Sequence, residues 1–289
     1  MLSLRSGVRR CGALLDNMPS RRQRPYTGRV ILSDRLLAAD EPAAVFELRR
    51  GGGSPFVIVV DHASRRIPKR LGSLGLSPSD LERHIAWDIG ALGVAQGVSL
   101  ALDAPLVAQN YSRLVIDCNR RPGVATSIPV VSESTGIPGN TALSAAEVEA
   151  RRGEIFEPYH AHLRALLDER AAGGAPAVLV AQHSMTDVFK GARREMHAAI
   201  LYNRERRFAR CMLEALRQER GLVVAENRPY ALSDATDYTV PYHAESRGLA
   251  CVEIEIRQDL ICTETGQAEW AGRIGSALEQ ARRRFGGDG

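Results

Sequence analysis

Short, continuous apolar runs recur along this chain, and between them lie stretches whose apolar residues fall at helical spacing. Residues 55–60, 177–181, 198–202, 222–225 and 249–256 are such runs, most of them dense in Val, Ile, Leu and Ala and bounded by polar or turn-forming residues. That pattern predicts buried strands, and because the runs are continuous rather than alternating, it predicts cover on both faces. Residues 43–48 predict a first strand, ended by the turn Gly51-Gly52-Gly53; residues 106–108 and 114–116 predict two more. Ser77-Pro78-Ser79-Asp80 predicts a helix start, and Leu81, Ile85, Ile89, Leu92 and Ala95 continue it on one face, with His84 and Asp88 a turn apart. Ser144 and Glu147 form a capping box for a helix to about residue 172, which Pro158 is expected to kink. Further helices are predicted near residues 205–218 and 266–285. Strands alternating with helices predict an α/β architecture around a largely parallel sheet. Residues 29–289 read as one domain.

Polar residues gather where these strands end. Asp61 and His62 follow the run at 55–60; Ser112 and Arg113 precede the run at 114–116, and Asp117, Asn119, Arg120 and Arg121 follow it. Gln182, His183 and Ser184 follow the run at 177–181, and Glu253 and Glu255 lie within the last one. In a parallel sheet these groups meet along one edge, where open α/β sheets bind ligands. Two histidines and a carboxylate from distant positions are the donor set of a catalytic zinc. Here the set is His62, His183 and a carboxylate, preferably Asp88, with Asp61 the alternative ligand or the acceptor that fixes an imidazole tautomer. His84 is a reserve ligand, whereas His160 and His162 are expected on a helix surface and His197 carries no signal. Each histidine taken alone reads as an ordinary hydrogen-bonded side chain. Glu253 and Glu255, two apart on a strand, face the same side; one is expected to pair with Arg257 and the other to act as general base. Ser112, Asp117, Asn119 and Arg120 are candidate substrate contacts, as is His243 at the end of a polar loop over residues 227–243. Residues 122–143 predict a second long loop over the site. Ser64, Ser112 and Ser184 lack a nucleophile elbow, and the three glycines precede a strand rather than open a phosphate-binding helix.

Composition narrows the setting. With 44% hydrophobic and 25% charged residues among 289, the chain is that of an ordinary globular protein. Much of its net charge of +4 comes from Arg5, Arg9, Arg10, Arg21, Arg22, Arg24 and Arg29, opposed only by Asp16. Without that segment the chain is close to neutral, which argues against nucleic-acid or membrane partners. Residues 1–28 are expected to be a disordered arm, with Met18 an alternative start. Five scattered cysteines without a Cys-x-x-Cys pair suggest a reducing compartment, so the cytoplasm is the expected location.

Several motifs occur together in a definite order: Asp61-His-Ala-Ser64 with Ile67-Pro68, Ala86-Trp-Asp-Ile-Gly90, Tyr111 through Arg120, Gln182-His-Ser184 and Ile254 through Ile261. In these the chain resembles the N-formylglutamate amidohydrolase family from about Pro55 to Ile261. The resemblance implies a three-layer α/β sandwich with a central, mostly parallel mixed sheet, similar to zinc carboxypeptidases, aspartoacylase and phosphorylase/hydrolase-like folds. It also implies one Zn2+ or other divalent metal held by His, a carboxylate and His. Those relatives take the carboxylate from His-x-x-Glu, whereas the third residue after His62 is Arg65; the family pattern keeps an acid at Asp88. The resemblance further implies that Asn119 and Arg120 grip a substrate carboxylate, that Arg113 polarises the scissile carbonyl and that Glu255 is the base. The implied reaction is hydrolysis of the amide of a small N-acyl amino acid such as N-formylglutamate. Two alternatives stay open: an acylase- or carboxypeptidase-like hydrolase of another N-acyl substrate, and a metal-free binding protein on the same fold.

Overall fold

β1 (Val45–Leu48) and β2 (Phe56–Val60) form where the first apolar runs stand, and every residue of β2 is buried. In this computed structural model residues 35–287 are described; the Arg-rich segment 1–28 and the choice between Met1 and Met18 lie outside the described residues. α1 (Pro78–Leu81), α2 (Ala91–Leu102) and β3 (Leu106–Gln109) follow, then the hairpin β4 (Val131–Ser132) and β5 (Thr135–Gly136). Next come α3 (Ala145–Arg151), α4 (Glu157–Ala172), β6 (Val178–Met185) and the hairpin β7 (Val188–Phe189) and β8 (Ala192–Arg193). The chain then forms β9 (Ala198–Leu201), α5 (Arg207–Arg217), β10 (Val224–Glu226), β11 (Ala250–Arg257) and α6 (Glu264–Gly287).

Seven strands make one sheet in the order β1-β3-β2-β6-β11-β9-β10. β3, β2, β6 and β11 run parallel, β1 is antiparallel to β3, and β9 is antiparallel to β11 and parallel to β10. One face buries Ile58, Val180, Val252 and Ile254 against α2, α5 and α6. The other buries Val57, Val59, Leu179 and Ala181 with Tyr159 and Leu163 of α4 and with Tyr111 and Leu114 of the loop after β3. The three-layer, mixed and mostly parallel α/β sandwich is therefore present. The continuous apolar runs follow from it, because both faces of the inner strands are covered.

Three expectations are corrected. Residues 114–116 are buried but form turns, not a strand. Their backbone is served by side chains: Ser112 Oγ accepts from Leu114 N, Asn140 Nδ2 donates to Leu114 O, and Arg151 Nη1 donates to Val115 O. The helix opened by Ser77 keeps its capping box but lasts one turn. Asp88 N bonds to His62 O instead of continuing it, and Gly90, at φ +78°, starts α2 in a new direction. A side chain at Gly90 would collide with Ile261 O, so the break is built in. His84 and Asp88 thus share no helical face. Arg257 pairs with Asp259 and with backbone carbonyls rather than with either glutamate. The capped helix from Ser144 does carry an irregularity near Pro158, as a π-helical turn at Arg152–Phe156.

Candidate metal centre and active site

The centre stands beyond the carboxyl ends of β2 and β6. Asp61 and His62 lie just past β2, His183 lies in the last turn of side chains along β6, and the loop before α2 carries Asp88. Glu255 is the direct neighbour of His183 in the parallel pairing of β11 with β6. His62, Asp88 and His183 are all buried, and one donor atom from each lies within 4.8 Å of the others, so the group can hold a metal ion. His183 Nδ1 is 2.8 Å and His62 Nδ1 3.4 Å from Asp88 Oδ2.

The opposite ring nitrogens face other carboxylates. His62 Nε2 is 2.7 Å from Asp117 Oδ1, and His183 Nε2 is 3.4 Å from Asp61 Oδ2. This is the arrangement by which outer carboxylates fix the tautomer of metal-ligating imidazoles. Buried His62 Nδ1 has no hydrogen-bond partner, which fits a lone pair directed at a cation. Asp61 is fixed in turn by the hydroxyls of Tyr159 and Thr239, each donating to Oδ1 at 2.8 Å. Asp61 Oδ2 thus faces His183 Nε2, with which it makes an ion-pair contact rather than a hydrogen bond, and not its sequence neighbour His62.

Charge in the centre is heavily negative. Asp61, Asp88, Asp117, Glu253 and Glu255 are all buried. Against the cost of burial, His62 and His183 hold Asp88 below the usual carboxylate range, and His183 holds Asp61 at about 2. Burial and the Arg113 charge oppose protonation of His62, yet Asp117 and Asp88 raise it; Glu253, Asp61 and Asp88 raise His183 against its burial. Both rings therefore attract positive charge, as a cation site requires. Burial pushes Glu253 up to about 8 and also raises Glu255. Tyr230 donates its hydroxyl to Glu255 Oε1, and Glu255 Oε2 has no partner. Arg113 spans the centre, with Nη1 3.3 Å from Asp88 Oδ1 and with Nε and Nη2 donating to Asp117 Oδ2 at 3.2 and 2.9 Å.

His62, Asp88, Arg113, Asn119, Arg120, His183, Glu253 and Glu255 line one small cavity. Of the other expected substrate contacts, Ser112 and His243 do not line this cavity, and Asp117, which lines the neighbouring one, is engaged by other groups. Ser112 is buried and donates to Ala86 O; Asp117 is taken up by His62, Arg113 and Asn119 N. His243 is buried 2.9 Å from His160 Nδ1, and it stacks on that ring. His160 is therefore not a surface group: its Nε2 is 2.9 Å from Cys118 O. Two residues at the site went unnoticed in the sequence. Tyr230 and Asp237 come from the loop over residues 227–243, and Asp237 pairs with Arg120 at 3.2 Å.

The α/β sandwich thus carries, at its strand ends, a buried histidine–carboxylate group that could hold a metal ion. The family model for N-formylglutamate amidohydrolase matches residues 54–262, and the chain belongs to that family. It is accordingly a hydrolase acting on amide bonds. Among solved structures it is similar to the gene product Atu2144 from Agrobacterium tumefaciens, with 39% identity and a TM-score of 0.85 over 87% of this chain and 100% of that one. It also shares its fold with N-formylglutamate amidohydrolase from Ralstonia eutropha JMP134, at 20% identity and a TM-score of 0.63 over 84% and 99% of the two chains. Among curated proteins no match was found. No helix among the described residues is long and apolar enough to cross a membrane.

Proposed function

We propose that the chain hydrolyses the amide of a small N-acyl amino acid, N-formylglutamate being the substrate in the family's name, with zinc held by His62, Asp88 and His183. The carrying observation is the pair of imidazole Nδ1 atoms turned to one Asp88 oxygen while carboxylates stand behind both rings. A zinc ion in this set would supply Lewis acidity, lowering the pKa of water from roughly 16 to about 7. Glu255 takes the proton from the attacking water and delivers it to the leaving amine. Its raised pKa suits both halves of that task, and the Tyr230 hydroxyl holds one oxygen so that the other faces the reaction. Arg113 uses three of its five N–H donors on Asp88 and Asp117, and the remaining two stabilise the developing oxyanion. Among the described residues Arg120 bonds through Nη1, to Asn119 O and Asp237, which leaves Nη2 and Nε to receive the substrate carboxylate. Elemental analysis of the purified protein, combined with formate release from a panel of N-formyl amino acids, tests this reading. A protein that takes up no divalent metal and hydrolyses no member of the panel would refute it.

A further inference from the structure

Two cavities meet at Arg113 and Arg120, which line both. The one at the glutamates measures about 50 Å³, and its neighbour about 430 Å³. The first has room for a group on the order of a water molecule or a one-carbon acyl group; the second has room for the rest of a much larger molecule. Ile85, Leu114, Pro129, Val131 and Phe189 give the larger cavity an apolar wall. Val131 and Phe189 reach it from the β4–β5 and β7–β8 hairpins, where both are exposed.

Charge on the same wall disfavours an acidic side chain. Glu133 lines the cavity and is paired with Arg83 at 2.8 Å, with His84 Nε2 3.6 Å away. Burial and the neighbouring arginines lower the pKa of His84, leaving it neutral near pH 7. Arg113 is committed to Asp88 and Asp117, and Arg120 is the clamp for the α-carboxylate. Among the described lining residues no cation is left for a second carboxylate, and a desolvated carboxylate without a partner is costly. Arg194 and Lys190 stand near but do not line the cavity; both lie over the Phe189 ring, and Arg194 also donates to Thr186 O.

From this we infer that the larger cavity is the side-chain subsite, and that the substrate class is a formyl or similarly small acyl derivative of an amino acid with a bulky apolar side chain, such as leucine, methionine or phenylalanine. The inference rests on the amidohydrolase reading and sets its side-chain preference. With zinc-loaded full-length protein, kcat/KM is measured on the N-formyl derivatives of leucine, phenylalanine, glycine and glutamate, and on N-octanoylglycine. The leucine and phenylalanine substrates should exceed glutamate by about tenfold or more. Phe189→Ala should lower the phenylalanine-to-glycine ratio by about fivefold or more. Val131→Lys should shift the leucine-to-glutamate ratio toward glutamate by about tenfold, because it adds the missing cation. Preference for glutamate in the unaltered protein overturns the inference and makes Arg194 the side-chain reader. Preference for octanoylglycine overturns it by assigning the cavity to the acyl group. If nothing is hydrolysed, the amidohydrolase reading fails, and calorimetric binding decides the subsite independently. Tighter binding of N-formylleucine than N-formylglutamate, weakened in Phe189→Ala, supports it; equal or reversed affinity rejects it.

Discussion

Asp117 touches no candidate metal ligand atom of His62, yet replacing it should loosen the metal. Its Oδ1 lies 2.7 Å from His62 Nε2 and accepts from Asn119 N at 2.9 Å, while Oδ2 accepts twice from Arg113. Asp117→Asn nearly preserves volume but leaves one acceptor oxygen where two are needed. Whichever way the amide turns, an N–H is pressed against His62 and Asn119 or against the Arg113 guanidinium. One charged hydrogen bond of this kind is worth about 1.5–3 kcal/mol, and loss of an outer carboxylate typically weakens metal binding about ten- to a hundredfold. With two functions damaged at once, the expected loss is toward the hundredfold end, about 2.7 kcal/mol. Asp61→Asn is the internal control. Its contact with His183 Nε2 is longer, 3.4 Å, and an amide oxygen can still accept from Tyr159 and Thr239, so about tenfold is expected.

Zinc affinity measured by competition with a chromophoric chelator at fixed pH gives both numbers, and circular dichroism checks the fold. If Asp117→Asn keeps full zinc affinity in a folded protein, then His62 does not hold the metal through Nδ1 with Asp117 behind it. The coordination reading would then have to be rebuilt around Nε2.

Glu255→Gln should retain zinc and the fold while losing about a hundred- to ten-thousandfold in turnover, as read by steady-state kinetics with metal analysis; a mild Glu255→Gln beside a damaging Glu253→Gln would transfer the role of base to Glu253. Arg120→Lys should reduce efficiency on N-acyl amino acids by roughly ten- to a hundredfold yet spare the corresponding amides, since lysine cannot reproduce the guanidinium fork; equal losses across a matched acid and amide pair would make Arg120 structural. His160 and His243 are buried and neutral, their pKa values lowered chiefly by burial to about 4 and about 2. Between those values and the ordinary 6.5 the unfolded chain binds the protons, so their contribution is complete above about pH 6.5 and declines as pH falls, by roughly 1.4 kcal/mol per unit for each histidine. Urea melts from pH 7 to 4.5 should show that slope, and His160→Gln should flatten it.

The elements legible in the sequence are those whose signal is local. β2, β6 and β11 are buried throughout, and β2 and most of the other two are apolar, because helices or loops cover both faces of the inner sheet and such cover admits few other residues. His62, His183 and Glu255 could be singled out because each interrupts or ends one of these runs. Residues 114–116 carry the same local signal but have no strand beside them. Their carbonyls bond to Asn140 and Arg151, 26 and 36 residues away, and nothing in a three-residue window reports that. His160 reads as a helix-surface residue until His243, 83 positions later, is stacked on it. Tyr230 escaped notice for a similar reason, since its partner Glu255 is 25 residues downstream and its own loop has no period.

The two glutamates of β11 show what the fold gives up for its centre. Glu253 and Glu255 lie in a fully buried strand between β6 and β9, and Arg257, on the same strand, is turned to Asp259. Nothing in the packing of the sheet requires carboxylates there, and their raised pKa values register the strain of keeping them ionised. Groups held at such a cost beside a cleft are characteristic of chemistry rather than architecture. The same surplus of negative charge would repel an anionic substrate. Arg113 and Arg120 stand at the junction of the two cavities, so a carboxylate meets guanidinium before it meets the acids behind. Asp88, the candidate ligand carboxylate, and Glu255, the proposed base, can therefore be anionic while two guanidinium groups of residues 113–120 stand at the junction, and that separation is what would let an acid-rich centre receive the carboxylate of the proposed substrate.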